Sequence, residues 1–297
     1  MKRILTVLVA LILVLSCFAA CDKGSDAEAE SSRPFTTQPA NQLEYTLNSD
    51  GNGYTVTGIG TYTSTDLIID TYNGLPITEI GFEAFKGTGI TSVTLGDSVT
   101  KVANQAFSGC RSLKSITIGT GITNMGYFSF DGCAALTDVY YNGTIESWCN
   151  ISFGDAGNPM WLNAKFNLKN ASGGYDVITK LAIPETVTEI KDYAFEGFDS
   201  LTSIAIPDTV MSIGKSAFKG CAGITSIAIP TSVTEISVHA FKGCEKLESA
   251  TFLNTENWVR GRSGNTISIQ SSELQKPKTA AEYLTKTFVE DSWQVKK

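Results

Sequence analysis

Histidine is almost absent from this sequence, in which His239 is the only one among 297 residues. That count excludes metal sites built from several histidines. It also leaves His239 as the only histidine that could act as the base in a Ser-His-Asp or Cys-His arrangement. His239 falls in a repeat position that other copies fill with Glu83, Gln105, Tyr193 and Ser216. We therefore interpret it as a structural residue at a variable surface position.

Several other patterns are missing. No apolar run reaches the roughly 20 residues that a membrane-spanning helix needs. Cys-x-x-Cys metal spacing is absent, and the glycines recur at regular intervals without forming a phosphate-binding loop. The chain is acidic, with a net charge of −7 and no stretch rich in Lys or Arg, which disfavours nucleic acid and anionic lipid as partners. We expect no cofactor, no metal, no nucleic-acid partner and a monomer.

The sequence does contain one repeated motif. Its clearest copy runs from Leu201 to Cys221, and Phe195 and Phe218 mark a period of 23 residues. A fixed period of this size is typical of a solenoid. One repeat position is Phe in six copies, namely Phe85, Phe107, Phe130, Phe195, Phe218 and Phe241.

The residue pattern within a copy indicates three short pieces. Ile204 and Ile206 alternate with small residues, which predicts a strand with one buried face. Pro207 ends that strand, and Val210 and Ile213 predict a second short extended piece. The Ala-Phe-x-Gly-Cys sequence that follows predicts a tight turn. One coil cannot bury its own apolar face, but coils stacked about 4.8 Å apart can. The predicted fold is therefore a repeat solenoid, mainly β, with 23-residue coils.

The pattern A-F-x-G-C-x-x-L-T-S-I-x-I-P-x-x-V-T-x-I resembles the BspA-like branch of the bacterial leucine-rich repeats over about residues 67–252. The resemblance implies a leucine-rich-repeat solenoid on the bacterial cell surface. It implies an adhesin or binding scaffold with protein or glycan partners, from a host or a neighbouring cell. No catalytic residues come with this family.

The N-terminus predicts export. Lys2 and Arg3 precede an apolar run, and residues 1–20 are predicted to be a lipoprotein signal peptide. Cys21 is the predicted lipid anchor, since the polar, flexible tether 21–42 begins there. Cys17 ends a rival box, and ordinary secretion with cleavage near Ala20 is the third alternative. Cleavage at residue 20 removes two positive charges and no negative one, so the net charge changes from −7 to −9. We expect a chain anchored to the cell envelope by lipid alone and exposed at the surface.

Irregular segments interrupt or close the repeats. Residues 43–66 predict a β-hairpin that caps the open end of the solenoid 67–270. From Phe130 to Phe195 is 65 residues, four fewer than three periods, and the irregular coil occupies 142–180. There we predict a short helix near 145–149, a strand at 165–168 and re-entry into the repeat at Leu181. Residues 271–297 predict a cap helix at near-helical apolar spacing.

The remaining reactive side chains fit structural roles. Cys110, Cys133, Cys221 and Cys244 share one repeat position with Thr88 and Phe198, so we interpret them as small packing residues. A disulfide between stacked neighbours, Cys110 with Cys133 or Cys221 with Cys244, stays possible by geometry. Recurrent carboxylates alternate with Lys or Ser in other copies, which indicates a solvated face.

Candidate binding residues cluster where the period breaks. Outward strand positions elsewhere carry Ser, Thr or Ala, whereas Tyr140, Tyr141, Trp148 and Trp161 gather near the irregular coil. Large aromatic residues dominate interface energetics, so we predict that a partner docks beside Tyr140 and Tyr141 with Trp148 and Trp161 at the rim. The alternative for Trp148 is that it plugs the core. The predicted function is a non-enzymatic surface binding scaffold. An extracytoplasmic hydrolase with a site in residues 140–180 is the alternative.

Overall fold

The computed structural model describes residues 42–262 and 265–296. The predicted signal peptide, all of the predicted tether except Gln42, and the candidate lipid anchors Cys17 and Cys21 lie outside the described residues. The described chain forms a β-solenoid in which each regular coil contributes a long strand, a short strand and a tight turn. Stacking the coils produces three parallel rows of these pieces, which we call the long-strand ladder, the short-strand ladder and the turn ladder.

The long-strand ladder has two sections. The first consists of in-register parallel strands and closes with the antiparallel strand Tyr175–Val177; the parallel strands are Asp66–Ile69, Ser92–Leu95, Ser115–Ile118, Asp138–Tyr141 and Lys165–Lys169. The second section pairs Lys180–Ala182 with Ser203–Ala205 and Ser226–Ile229 with Ser249–Phe252. Alternate residues of the regular strands are buried, as a period of two requires, whereas Lys165–Lys169 and Tyr175–Val177 of the irregular coil depart from this pattern.

The short-strand ladder is divided at the same place. Its first section begins with the predicted N-terminal hairpin, in which Glu44–Leu47 pairs antiparallel with Tyr54–Gly58. The parallel strands that follow are Leu75–Ile80, Lys101–Val102, Asn124–Met125 and Ser152–Phe153, and the small strand Thr71–Tyr72 folds back on the first of them. The second section contains Glu189–Ile190, Ser212–Ile213 and Glu235–Ile236.

The Ala-Phe-x-Gly turn depends on two residues with left-handed backbone. The residue two positions before each Phe has φ between 54° and 63°, and the Gly two positions after it has φ between 69° and 79°. Glycine is favoured at the second position because it adopts this conformation without a Cβ penalty. The Phe107 amide donates to the Ser129 carbonyl of the next coil at 2.9 Å, so the turns form a ladder too.

The phenylalanine core is two columns rather than one. Phe85, Phe107 and Phe130 stack with ring centroids 5.2 and 5.4 Å apart, and Phe195, Phe218 and Phe241 stack at 5.6 and 5.4 Å. All six side chains are fully buried. A single continuous column through all six, which their shared position suggests, is wrong because the irregular segment separates Phe130 from Phe195.

The irregular segment conceals one further coil. Ser152–Phe153 continues the short-strand ladder, and Ala156 has the left-handed φ of 50° that marks each turn. Asn158 then occupies the position of the missing Phe and is fully buried. Its side-chain amide donates to the carbonyls of Tyr193 at 2.9 Å and Ala194 at 3.1 Å. In regular coils the carbonyl equivalent to that of Ala194 accepts a backbone amide instead, so a side chain replaces a ladder bond at this seam.

The predicted elements around this coil form, and the helix is Ile145–Cys149. Thr144 caps it, because its hydroxyl accepts the Ser147 amide at 3.1 Å while the Ser147 hydroxyl accepts the Thr144 amide at 2.8 Å. After Lys165–Lys169 and Tyr175–Val177, the chain re-enters the repeat at Lys180–Ala182.

The predicted C-terminal helical cap forms, but as short pieces of helix followed by a strand. Short helices span Ser271–Leu274 and Pro277–Glu282, and a π-helical turn spans Tyr283–Thr287. The strand Ser292–Val295 then pairs antiparallel with Glu235–Ile236. It also pairs with Trp258–Arg262, which pairs with Asn265–Ser268. The exposed edge of the last short strand needs a backbone partner, which a strand supplies and a helix cannot.

Candidate functional site

Tyr141 and Trp148 are core residues, so the predictions that Tyr141 flanks a docked partner and that Trp148 lies at the rim are wrong. Both side chains are fully buried. The Tyr141 hydroxyl donates to Ser147 Oγ at 2.8 Å, and Trp148 Nε1 donates to the Ala194 carbonyl at 2.8 Å. Strand alternation explains the result for Tyr141, because Val139 and Tyr141 face inward if Tyr140 faces outward. Trp148 plugs the core at the seam, as the structural alternative predicted.

Tyr140 lies on the outward face, where it contacts a residue that sequence reasoning missed. Its ring meets that of Tyr175 at a centroid distance of 4.9 Å and an interplanar angle of 71°. Tyr175 is 38% exposed, and its hydroxyl donates to Asn142 Oδ1 at 2.6 Å. Tyr175 reaches Tyr140 because the strand Tyr175–Val177 folds back antiparallel after the Gly173–Gly174 turn. A β-hairpin predicted at Gly173–Gly174 would have placed Tyr175 near Tyr140.

Trp161 is positioned on another side of the solenoid. It belongs to the 3₁₀ helix Pro159–Leu162, which begins at the side-chain cap supplied by Asn158. The side chain is half-buried, and its Nε1 is buried without a hydrogen-bond partner. A Cβ at Gly197 would lie 2.6 Å from the Cα of Trp161, so Trp161 packs against the turn ladder. The structure therefore does not bring it together with Tyr140.

The outward rows of the first long-strand section have larger residues at their ends. The register aligns Ile68, Thr94, Thr117 and Tyr140 in one row, and Asp66, Ser92, Ser115 and Asp138 in the other. Ile68 is 74% exposed. In the second section the corresponding outward residues are Lys180, Ala182, Ser203, Ala205, Ser226, Ala228, Ser249 and Thr251. The four strands from Asp66–Ile69 to Asp138–Tyr141 thus carry larger outward residues on both sides, and the fifth strand adds the exposed Lys165 beside Asp138 and the buried Asn167 beside Tyr140. The second section is flat apart from Lys180.

The cysteines are free and buried. In four coils the thiol donates to the carbonyl of the Phe in the preceding coil, at 3.0 Å from Cys110 to Phe85 and at 3.2 Å from Cys221 to Phe195. Thr88 and Phe198 take the position in the first coil of each column, where no stacked Phe carbonyl precedes them. Burial raises the pKa of the Cys244 thiol to about 12. Burial also raises the pKa of the Cys221 thiol, so Cys221 and Cys244 are protonated hydrogen-bond donors and poor nucleophiles.

Two ionisable side chains, Glu196 and His239, each contact an ionisable partner. Among the described residues Glu196 is the one buried charged side chain. Its Oε1 lies 2.7 Å from Lys219 Nζ, while burial raises the pKa of its carboxyl group. The nearby Asp155 carboxylate also acts to raise the Glu196 pKa, whereas the contact with Lys219 lowers it. His239 Nε2 lies 2.6 Å from Glu290 Oε2, which joins the last coil to the C-terminal cap.

The described chain offers no cluster of three or more His, Cys, Asp or Glu side chains that could hold a metal ion. Within residues 42–262 and 265–296, none of the helices has both the length and the apolar character needed to cross a bilayer.

Comparison with known proteins identifies the repeat. No curated protein matches the chain. Among solved structures it is similar to the leucine-rich repeat protein TpLRR of T. pallidum, with 23% identity, a TM-score of 0.46, and coverage of 71% of this chain and 90% of that one. A leucine-rich repeat protein of Bacteroides ovatus shares 22% identity at a TM-score of 0.47, over 71% of this chain and 52% of that one.

The family assignment rests on the sequence match. The description "BspA type Leucine rich repeat region" fits residues 78–173 and 169–283, in six copies. These residues include all the turns from Phe85 to Phe241 and the concealed coil that carries Asn158. The chain belongs to the family of BspA-type leucine-rich repeat proteins.

Proposed function

We propose that this protein is a non-catalytic binding scaffold at the cell surface, which presents the first section of its long-strand ladder to an extracellular macromolecule. The observation that carries the proposal is the outward aromatic pair of Tyr140 and Tyr175. Aromatic side chains supply large contact areas and dominate the energetics of interfaces. The other outward residues of the parallel strands are mostly small, so this pair is the strongest candidate anchor on the face.

The pair is held in place before any partner arrives. Tyr175 is fixed by its hydrogen bond to Asn142 Oδ1 at 2.6 Å, and the edge-to-face contact with Tyr175 orients Tyr140. A side chain that is already ordered loses less conformational entropy on binding. The hydrolase alternative would need two facing carboxylates in residues 140–180. Glu196, the buried carboxylate beside that segment, forms an ion pair with Lys219. A carboxylate paired with a lysine is a poor member of such a couple, which favours the binding function.

Adhesion of cells that display the full chain tests the proposal. Cells would be applied to surfaces coated with matrix proteins or with mucin, and bound cells would be counted. We expect Tyr140→Ala to lower adhesion to the responsive surface at least about tenfold, as for an interface anchor. Ser226→Ala, on the flat second section, is the matched control and should leave adhesion unchanged. Adhesion that survives Tyr140→Ala but is lost in Ser203→Arg or Ser226→Arg would contradict the proposed face.

Lipid anchoring through Cys21 is the second part of the proposal, and the sequence of residues 1–42 supports it. Lipidation of one cysteine would hold the chain in the envelope fraction. Cys21→Ser is expected to release the protein into the soluble fraction on cell fractionation, whereas Cys17→Ser should leave it in the membrane fraction. The opposite pair of results would make Cys17 the anchor.

A further inference from the structure

Four strands of the first long-strand section, from Asp66–Ile69 to Asp138–Tyr141, carry small outward side chains in the middle and larger ones on both sides. We call this surface the trough. Its floor consists of four hydroxyl side chains on two neighbouring strands, Ser92 and Thr94 on one and Ser115 and Thr117 on the other. All four are partly exposed. Beyond the floor, one wall carries Asp66 and Ile68, and the other carries Asp138 and Tyr140. Three strand spacings of about 4.8 Å place the two walls about 14 Å apart.

The walls combine hydrogen-bond acceptors with apolar surface. Asp66 Oδ1 accepts the Ser92 hydroxyl at 2.7 Å, and Asp138 Oδ2 accepts the Thr137 hydroxyl at 2.8 Å. These bonds orient the carboxylates, and an ionised carboxylate has further lone pairs for donors of a ligand. The Tyr140 ring, held by Tyr175, has an electron-rich face that attracts polarised C–H groups. The trough therefore suits a ligand that offers both hydroxyl donors and C–H faces.

Charge and backbone pairing narrow the class of ligand. The eight outward residues of floor and walls include two carboxylates, and the next strand adds one cation, Lys165, in register with Asp138. Acidic groups therefore outnumber basic ones, and the trough disfavours an anionic polymer. The two floor strands are paired on both sides, so an extended peptide could pair with the four strands of the trough only at the outer edge of Asp66–Ile69, beyond the wall and outside the trough. A chain of uncharged sugars needs no backbone partner, because its hydroxyl groups can bond to side chains and its ring C–H faces can pack on an aromatic ring.

We propose that this trough binds a neutral polysaccharide, with Tyr140 as the stacking residue and the Ser and Thr hydroxyls of the floor as hydrogen-bond partners. The proposal rests on the proposed function, since it names the class of partner for the same face. The second section of the ladder is the internal comparison, because Ala205 and Ala228 hold the positions of Thr94 and Thr117 and that section has no aromatic wall.

The test is affinity electrophoresis of the purified full chain through gels that contain a mannan, a galactan or a β-glucan. Hyaluronan and poly-lysine serve as anionic and cationic probes. We expect at least one neutral polysaccharide to retard the protein. Tyr140→Ala and Thr117→Arg, which remove the stacking ring and fill the floor, should each weaken that retardation at least about tenfold. Ala228→Arg places the same bulk and charge on the second section and should behave like the unchanged protein.

Three results would overturn the proposal. The first is the absence of retardation by every neutral polysaccharide. The second is an equal loss of retardation in Ala228→Arg. The third is retardation by poly-lysine alone that Tyr140→Ala abolishes, which would assign a cationic partner while leaving the face of the proposed function intact. Adhesion that is lost in Tyr140→Ala without any effect of neutral polysaccharides would separate the two proposals in the same way.

Discussion

The two columns of the solenoid have nearly the same interior. Ring centroids are 5.2 and 5.4 Å apart in the column of Phe85, Phe107 and Phe130, and 5.6 and 5.4 Å apart in the column of Phe195, Phe218 and Phe241. Each column begins with a coil that lacks the cysteine and continues with two coils that carry it. At this repeat position a cysteine therefore occurs only in a coil that follows another Phe coil, whose Phe carbonyl accepts its thiol.

The exteriors of the columns differ. The first section of the long-strand ladder carries aromatic, apolar, acidic and basic side chains on either side of its two Ser/Thr strands, whereas the second is built mostly from Ser, Ala and Thr. Outward positions do not contribute to the stacked core, so they are free to vary. The difference indicates that the inward positions specify the fold and that outward positions specify function. This distinction can be tested by substitutions.

The largest effect is expected in the core. Phe218→Ala should lower the free energy of unfolding by about 3–5 kcal/mol, because it leaves a cavity between two stacked rings. Phe107→Ala should cost a similar amount, since it holds the same place in the first column. Urea denaturation followed by circular dichroism measures both. Met211→Ala is the control, since that side chain is 56% exposed. A loss below about 1 kcal/mol for either Phe variant would contradict the equivalence of the columns.

The seam between the columns is expected to be the next most sensitive place. Asn158→Ala removes two donated bonds and leaves the buried amide of Met160 without its acceptor at 3.0 Å. A loss of about 2–3 kcal/mol is expected from such unsatisfied groups.

Restoring the repeat residue at the seam sharpens this test. Asn158→Phe should not rescue stability, because a ring cannot supply the bonds to Tyr193 and Ala194. The exposed Asn150 is a suitable control for both Asn158 variants. A stabilised Asn158→Phe protein would show that this position is an ordinary core position.

The cysteine position should make stability depend on alkaline pH. Burial raises the pKa of the Cys149 and Cys244 thiols from an ordinary value of 9.0 to about 12. A thiol with a raised pKa contributes its full stability below pH 9, and the contribution is lost as the pH rises towards 12. The stability difference between the unchanged protein and Cys244→Ala should therefore shrink by about 1–2 kcal/mol between pH 8 and pH 10.5. A constant difference would contradict the burial of this thiol.

Thiol reactivity tests the burial of the cysteines independently of stability. Cys149, Cys221 and Cys244 should react with a disulfide reagent only after the protein unfolds, because burial raises the pKa of each thiol and a protonated thiol is a poor nucleophile. Fast reaction of the folded protein would mean that the coils open locally.

Much of the interior could be predicted from the sequence, because the solenoid follows from a period that repeats inward residues. The helix Ile145–Cys149 and the re-entry at Lys180–Ala182 followed from local signals as well. The seam could not be predicted, since Asn158 resembles a loop residue until the carbonyls of Tyr193 and Ala194 are seen beside it. Tyr175 was missed for a similar reason, because it meets Tyr140 only after Lys165–Lys169 has paired beside Tyr140 and the chain has folded back at Gly173–Gly174.

The smallest stability effect is expected at Tyr140, and its neighbour in sequence provides the contrast. Tyr141→Phe removes the hydroxyl that donates to Ser147 Oγ in the interior, which should cost about 1 kcal/mol. Tyr140→Ala removes a whole ring from the outward face and should change stability by no more than about 0.5 kcal/mol, as is usual for surface positions. Thermal and urea unfolding of the two variants measure this difference. If Tyr140→Ala proved the more destabilising, its ring would be a structural support for the Tyr175–Val177 hairpin, and losses of binding in that variant would no longer identify a recognition surface.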